Sequence, residues 1–339
     1  MELLLGKTID ELKETVKILG LPTFTAKQIS QWLYQSTVNS IDEMTNISLK
    51  NREILKSKYE FGVTANSKVT VSSDGTKKYL FPAGKNKYIE AAYIPDRDRH
   101  TLCVSSQVGC KMGCLFCATA KQGFQGQLSA GEIINQIRSI PERDQLTNIV
   151  YMGMGEPLDN LAEVMKSLEI LTSDWGFAMS PRRITVSTIG IIPAMKEFIE
   201  KSNCHLAVSL HSPFNSERSK LMPIQSRYTI NQIIDTLKAY DFGGQRRISF
   251  EYIVFKGLND SEKHVNELAK ILNGINCRIN LIRYHSIPGF NYESPKNSAM
   301  HDFREALNRK GIIATIRSSR GEDILAACGL LSTTELRRV

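Results

Sequence analysis

The 339-residue sequence contains no run of about eighteen apolar residues, so no part of it reads as a transmembrane helix. It has no internal repeat and no low-complexity segment, which excludes solenoid and fibrous architectures. It begins Met1-Glu2-Leu3-Leu4-Leu5-Gly6, too short an apolar stretch and too early a charge for a secretory signal. A cytoplasmic location is therefore expected. In that reducing compartment its seven cysteines (Cys103, Cys110, Cys114, Cys117, Cys204, Cys277 and Cys328) do not read as a disulfide framework. They read as metal ligands, catalytic thiols or core residues.

What is present describes a globular chain, with 42% hydrophobic and 23% charged residues. The length suits one sizeable domain with a smaller appendage. Lys and Arg number 43 against 35 Asp and Glu, a net charge of +8. That excess favours a polyanionic partner through phosphate contacts.

The first sixty residues carry helical spacing. Ile9 to Leu19 stops at Gly20-Leu21-Pro22, Thr25 is placed to cap a second helix, and a third runs from Leu49 to Tyr59. Phe24 to Ile29 with Trp32-Leu33-Tyr34 suits either a nucleic-acid-docking module or a plain three-helix cap. From Val63 to Pro95 the pattern alternates as strands do, with turns at Asp74-Gly75 and Gly84-Lys85-Asn86. Glu90 falls inside the last of these apolar strands, where a carboxylate is unusual unless paired or used.

From Thr101 onward strands and helices alternate. Strands are expected at 102–104, 148–152, 183–187, 206–210, 249–255 and 279–284, each followed by a helix. Six βα units with short connections predict an α/β fold, a partial (β/α)6 barrel, with a doubly wound sheet as the competitor. Expected boundaries are a helical accessory domain over 1–62, a β segment over 63–95, a barrel over 96–324 and a C-terminal segment over 325–339. In either architecture ligands sit beyond the C-terminal strand ends.

Those ends hold the chemistry. Cys110-Lys-Met-Gly-Cys114-Leu-Phe-Cys117 puts three thiols on one short loop after the first strand. Thiolates select iron–sulfur clusters, zinc or Cu(I), and three without a fourth suit a cubane with one open iron better than a closed zinc site. Zinc, or three core thiols, remain the alternatives. After the second strand Gly153-Met154-Gly155-Glu156-Pro157 offers close backbone approach and a carboxylate for an ammonium or ribose. Ser187-Thr188-Ile189-Gly190 and Ser209-Leu210-His211-Ser212 end the next two strands. Cys103 and Cys328 stay unassigned, reactive or simply buried, whereas Cys204 and Cys277 at strand starts read as core. Lys111, Arg182, Arg183, Arg218 and Lys220 are candidate phosphate contacts.

The C-x-x-x-C-x-x-C loop resembles the signature of the radical S-adenosylmethionine (radical SAM) enzymes. The resemblance narrows with Cys103-Val104-Ser105-Ser106-Gln107-Val108-Gly109-Cys110, Met152 to Pro157, Asn280-Leu281-Ile282 and Ala326-Ala327-Cys328-Gly329. Together with Asp42-Glu43-Met44-Thr45 in the helical cap, these are similar to the RNA adenine methylating radical SAM family over nearly the whole chain.

The resemblance implies a 4Fe-4S cluster on Cys110, Cys114 and Cys117. It also implies two S-adenosylmethionine molecules per turnover, bound by Gly155, Glu156, Ser187, Ser209, Leu210, His211 and His285. The residue matching Cys328 is methylated first, and a deoxyadenosyl radical then takes hydrogen from that methyl. The resulting methylene radical adds to the base, giving a protein–RNA adduct. The residue matching Glu90 removes the ring proton, and the thiol matching Cys103 releases the product as a disulfide forms. A radical route suits the target, because the electron-poor amidine carbon of adenine cannot attack a methyl group as a nucleophile.

Implied substrates are adenosines of 23S rRNA and of tRNA beside the anticodon, and the implied electron donor is a flavodoxin or ferredoxin. A monomer without membrane association is expected. His285 stands where the family commonly has Asn. Gly155-Glu156-Pro157 and Ala118 to Phe124 favour the branch that modifies carbon 2. The segments after Ser187 and Leu210 read more like the carbon-8 branch. Carbon 2 is the favoured reading, and a non-catalytic zinc-stabilised RNA-binding protein is the alternative outside enzymes.

Overall fold

Strict apolar alternation in the middle of the chain and 3.6-residue spacing on either side of it place the elements of a computed structural model, which describes residues 1–242 and 247–333. In chain order they are β1 (Glu2–Leu3), α1 (Ile9–Ile18), α2 (Thr25–Tyr34), α3 (Leu49–Lys56), β2 (Tyr59–Glu60), β3 (Lys68–Val71), β4 (Lys77–Pro82), β5 (Tyr88–Asp96) and β6 (Arg99–Cys103). Then come β7 (Gln107–Val108), α4 (Ala118–Gln122), β8 (Gly126–Gln127), α5 (Ala130–Arg138), β9 (Asn148–Tyr151), α6 (Leu161–Thr172), β10 (Ile184–Thr188), α7 (Ile192–Lys201) and β11 (His205–Ser209). The last are α8 (Asn215–Leu221), α9 (Ile230–Lys238), β12 (Ile248–Val254), α10 (Glu262–Ile271), β13 (Cys277–Arg283), α11 (Asn297–Arg309) and β14 (Ile313–Ile316).

Ten strands form one sheet in the order β14-β13-β12-β11-β10-β9-β6-β5-β4-β3. The seven from β6 to β14 pair in parallel, each beside the next in the chain. That order never reverses, so the doubly wound alternative, which needs a switch point, is excluded. The architecture is the expected partial barrel, with one strand more than expected: β14 follows the sixth helix. Its exposed Ile313 and half-buried Ile316 mark an edge strand with a weak apolar signal. The meander β3–β5 continues the same sheet in antiparallel register beyond β6.

Capping boxes at Thr8 and Glu11, Ser129 and Glu132, and Thr229 and Gln232 start α1, α5 and α9. Thr25 does not cap α2: it is the first helical residue, and its N–H donates to the Pro22 carbonyl. The third helix ends at Lys56, because Tyr59–Glu60 pairs in parallel with Glu2–Leu3 instead of continuing the coil. The N-terminal helices share the barrel's apolar core through Leu12, Val16, Ile29 and Leu33. Buried Arg138 of α5 fastens them, donating to the carbonyls of Ser36 and Val38. Gly6 runs so close to α5 that a Cβ there would lie 2.3 Å from the Gly131 nitrogen.

The meander also anchors the C-terminal segment. Asp74, in the β3–β4 turn, accepts from the Gly321 N–H at 2.9 Å, and Asp323 accepts from Ser72 Oγ at 2.6 Å and the Ser73 N–H at 3.0 Å. Burial pushes the Asp74 carboxyl up, but bonds from Thr76, Gly321 and Ser72 outweigh that and hold it down to about 2.

Candidate active site

The cysteine loop is closed at its base by β7 and β8, which pair Gln107 with Gln127. Cys110 and Cys114 are buried with Met112 and Phe116, and Cys117 is half-buried beside them. The Leu115 N–H donates to the carbonyl of Leu221 at 3.0 Å, so the loop hangs on the end of α8. All three cysteines line one cavity of about 440 Å³ beyond the C-terminal strand ends, as the fold requires. Among the described residues no group of three or more His, Cys, Asp or Glu side chains converges on a single metal ion. Three thiols on one cavity wall, two of them buried and one half-buried, suit a cluster that takes each sulfur on a separate iron. Burial pushes the Cys110 thiol up to about 12, so loading iron there must release protons.

Opposite lies Glu156, fully buried at the end of the Gly-Met-Gly turn. Its Oε1 accepts from Thr188 Oγ1 at 2.6 Å and the Leu158 N–H at 3.1 Å, and its Oε2 accepts from the Ile189 N–H at 3.0 Å. Desolvation pushes it up to about 7 against those bonds. Gly155, at φ +101°, also lines the cavity; a Cβ there would sit 2.5 Å from Gln107 Cβ, so only glycine fits.

Ser187, Ser209, His211 and His285 line the same cavity. Leu210 does not: its side chain is buried, and its backbone joins β12 through a bond to the Glu251 carbonyl at 2.9 Å. His211 Nδ1 accepts from the Ile253 N–H at 3.0 Å, which leaves the ring proton on Nε2. Burial, helped by Arg218, pushes this imidazole down to about 3, so it stays neutral as a donor. Asn259 holds the left-handed His211 backbone (φ +55°) by donating to its carbonyl at 2.7 Å. His285 Nε2 lies 3.2 Å from Ser319 Oγ, and its Nδ1 lies 3.3 Å from Glu322 Oε1.

The two remaining thiols meet in this cavity. Cys103 ends β6 among Ala92, Val150 and Ala326, and Cys328 reaches the cavity from the C-terminal segment. Both are reduced. Burial, with the Cys328 thiol beside it, pushes Cys103 up to about 12, and Arg317 opposes the shift. Cys328 has accessible surface, but that surface opens into the cavity, and its thiol is raised by desolvation too. Its segment is tied to α4, the helix that starts after Cys117: the Ala118 N–H donates to the Gly329 carbonyl at 2.8 Å and Thr119 Oγ1 to that of Leu331 at 2.6 Å.

Glu90 is not brought into this cavity. Its carboxylate pairs with Lys78 at 3.0 Å, accepts from the Ser332 N–H at 2.9 Å, and lines an adjoining cavity of about 430 Å³. The Cys328 segment is the shared wall. Ala326 to Gly329 and Leu331 face the first cavity, while Leu325, Leu330 and Ser332 face the second.

Two charges of the site, one buried and one half-buried, escaped sequence reasoning. Glu251, in β12, accepts from Asn280 Nδ2 at 2.7 Å and lies 3.5 Å from Arg317, and both line the cavity. A carboxylate inside the apolar 249–255 run carries the same signal that singled out Glu90. Arg317 follows β14, the strand that was not expected. Of the candidate phosphate contacts, Lys111 is paired with Asp159 at 2.9 Å, and Arg182, Arg183 and Lys220 are exposed. Arg218 is fully buried and cannot reach a phosphate on the surface.

A partial barrel whose first strand leads into three clustered cysteines, facing a Gly-x-Gly-Glu turn, defines a radical SAM enzyme. Residues 104–269 match the Radical SAM superfamily, and residues 3–61 match the ribosomal RNA large subunit methyltransferase N-terminal domain. A solved radical SAM methyltransferase from Sphaerobacter thermophilus superposes with a TM-score of 0.92 at 37% identity, covering 98% of this chain and 99% of its own. The probable dual-specificity RNA methyltransferase RlmN of Bacteroides thetaiotaomicron is 58% identical over 332 residues, 98% of this chain and 96% of that protein. The dual-specificity RNA methyltransferase RlmN of Syntrophus aciditrophicus is 40% identical, covering 96% and 94%. The chain belongs to the RlmN family.

Proposed function

We propose that this protein is a radical SAM methyltransferase that places a methyl group on carbon 2 of an adenosine in 23S rRNA and in tRNA beside the anticodon. The observation that carries the reading is the meeting of Cys103 and Cys328 with the Cys110, Cys114 and Cys117 loop in one cavity. A methyl donor alone needs neither extra thiol; a methyl carried on the protein and then released needs both. The relatives' name, dual-specificity RNA methyltransferase RlmN, supports RNA methylation with two specificities, and Gly155-Glu156-Pro157 with Ala118 to Phe124 supports carbon 2.

Cys110, Cys114 and Cys117 would hold a 4Fe-4S cluster, which with S-adenosylmethionine bound would supply one-electron reductive cleavage of the cofactor's sulfonium. The chain's own residues bind and orient. Glu156 takes the cofactor's ammonium, Gly155 gives its backbone close approach, and Ser187, Ser209 and neutral His211 donate to its carboxylate and ribose. His285 sits within reach of the same ligand. Cys328 carries the methyl, whose carbon becomes bonded to the base. Cys103 then attacks the Cys328 sulfur, and the sulfur–carbon bond breaks with its electron pair going to that carbon. The carbon takes a proton to become the product's methyl, and a disulfide is left. Glu90 takes the ring proton from the second cavity, across the wall that bears Cys328.

The helical unit 1–62 docks RNA, 96–324 is the catalytic barrel, and the methyl-carrying segment is 325–339, which the meander 63–95 anchors at Leu325, Ser332 and Thr333. Every assigned residue comes from one chain, so a monomer suffices. A flavodoxin or ferredoxin supplies electrons, and the RNA substrates place the enzyme in the cytoplasm. No helix among the described residues is long and apolar enough to cross a membrane.

Protein reconstituted without oxygen, given rRNA, tRNA and S-adenosylmethionine, should yield 2-methyladenosine by nucleoside mass spectrometry against standards. Exclusive 8-methyladenosine would move the enzyme to the other branch, and no methylated adenosine would reject the reading.

The pH dependence of cofactor binding tests Glu156. Its carboxyl, raised to about 7, is neutral in acid and charged above that point. Affinity for S-adenosylmethionine should therefore tighten as pH rises from 6 to 8. In Glu156→Gln the profile should be flat, with binding at pH 8 roughly 10- to 100-fold weaker, the value of a charged hydrogen bond. Equilibrium dialysis reads both.

A further inference from the structure

Among the described residues Arg218 is the most deeply buried charge, and the reaction as described gives it no role. It lies on α8, one turn before Leu221, whose carbonyl holds the cysteine loop. Its guanidinium donates to the carbonyls of Ile189 at 2.8 Å, Ser209 at 3.0 Å and Leu210 at 3.2 Å, tying together the ends of β10 and β11. The other donors go to Gln225 Oε1 at 2.6 Å and the Tyr228 carbonyl at 3.4 Å. Every one of these partners is neutral.

A buried cation normally has a carboxylate, because an isolated charge in a low-dielectric interior is costly. Among the described residues Arg218 forms no ion pair. Its sequence neighbour Glu217 is committed elsewhere, to His264 Nε2 at 2.8 Å and Ser212 Oγ at 2.7 Å. The anionic chemistry on the far side of α8 is the thiol loop: Leu221 and Met222 pack in the same apolar cluster as Cys110 and Cys114. Cys114 is also the one group whose charge favours the Arg218 cation, against burial.

We propose that Arg218 is the buried counter-charge of the cluster, fixing the two strand ends that hold the cofactor and raising the cluster's reduction potential. The inference rests on the reading that the three cysteines hold a 4Fe-4S cluster. With three thiolates an oxidised [4Fe–4S]2+ unit has one net negative charge. An electron from a low-potential donor makes it two, with no bond formed or broken. A fixed positive charge nearby stabilises the second state more than the first, and net charge is an established determinant of cluster potential. Arg218 is a positioning residue and touches no reacting atom.

The test is an EPR-monitored redox titration of the full-length protein, reconstituted anaerobically, as native, Arg218→Gln and Arg218→Lys, with iron and sulfide measured for each. The Gln variant should be at least about tenfold harder to reduce, a shift of about 59 mV for a one-electron couple. The Lys variant, which keeps the charge but not the five-donor geometry, should stay close to native. A native potential in Arg218→Gln, or an equal shift in Arg218→Lys, would overturn the proposal. Should the Gln variant assemble no cluster, a loaded Lys variant with native potential supports the charge, and failure of both leaves only a structural tie and overturns it. Native protein that takes up no iron would instead reject the functional reading itself.

Discussion

Cys328→Ala protein, reconstituted and mixed with RNA and S-adenosylmethionine, is expected to make no methylated adenosine. The fall should be on the order of 10⁶-fold, the scale of deleting a covalent nucleophile. The expectation rests on position: Cys328 is brought to the cavity of the cysteine loop by a segment clamped to α4, which begins after Cys117. Cleavage of S-adenosylmethionine to deoxyadenosine should survive, since the cluster loop and Glu156 are untouched. Cys103→Ala should fail differently. Its Cys328 can take a methyl and join it to RNA, but the thiol that attacks the Cys328 sulfur is gone, so a covalent protein–RNA adduct should accumulate. A denaturing gel with labelled RNA separates the two outcomes. Absence of an adduct in Cys103→Ala would remove the two-thiol mechanism.

The second large effect is expected at the cluster. Cys114→Ala should hold little or no iron and lose S-adenosylmethionine cleavage to background. Cys114 is buried in one apolar cluster with Cys110, and its loss leaves the loop two thiols for a cluster that needs three. Iron and sulfide analysis, the brown absorbance and deoxyadenosine formation all read it. The fold should persist, because the apolar core that spans the N-terminal helices and the barrel does not include this thiol. Circular dichroism should therefore match native.

Much of this arrangement was legible before any coordinates. The cysteine spacing, the polar residues after each strand and the period change from helices to strands to βα units are local patterns, and local patterns survive in a sequence. The strand order followed from them because short βα connections leave few topologies. What was not legible depends on distance. β14 is a four-residue edge strand with one buried side chain, Ala314, too weak a pattern to stand out. Its omission hid Arg317, which needs β14 to bring it against Glu251. The same limit misjudged Arg218, since a guanidinium that collects backbone carbonyls has the sequence appearance of a solvated one.

Glu90 shows the opposite case. Its strand and burial were apparent, but the partition between two cavities was not, because it is built by a segment 235 residues or more further along the chain. Placing Glu90 on one side of that wall and Cys103 on the other gives the proposed reaction a direction. In that proposal the base to be modified is met by thiol chemistry from one cavity and by proton removal from the other. Lys78 and the Ser332 N–H fix the position of the Glu90 carboxylate.

The most direct test uses S-adenosylmethionine carrying a fully deuterated methyl group, with the native protein, RNA and a low-potential reductant under anaerobic conditions. If the methyl rides on Cys328 and loses one hydrogen to the deoxyadenosyl radical, the 2-methyladenosine formed after turnover should contain two deuterium atoms. The deoxyadenosine should contain one. A product retaining all three would mean direct methyl transfer and would contradict the account.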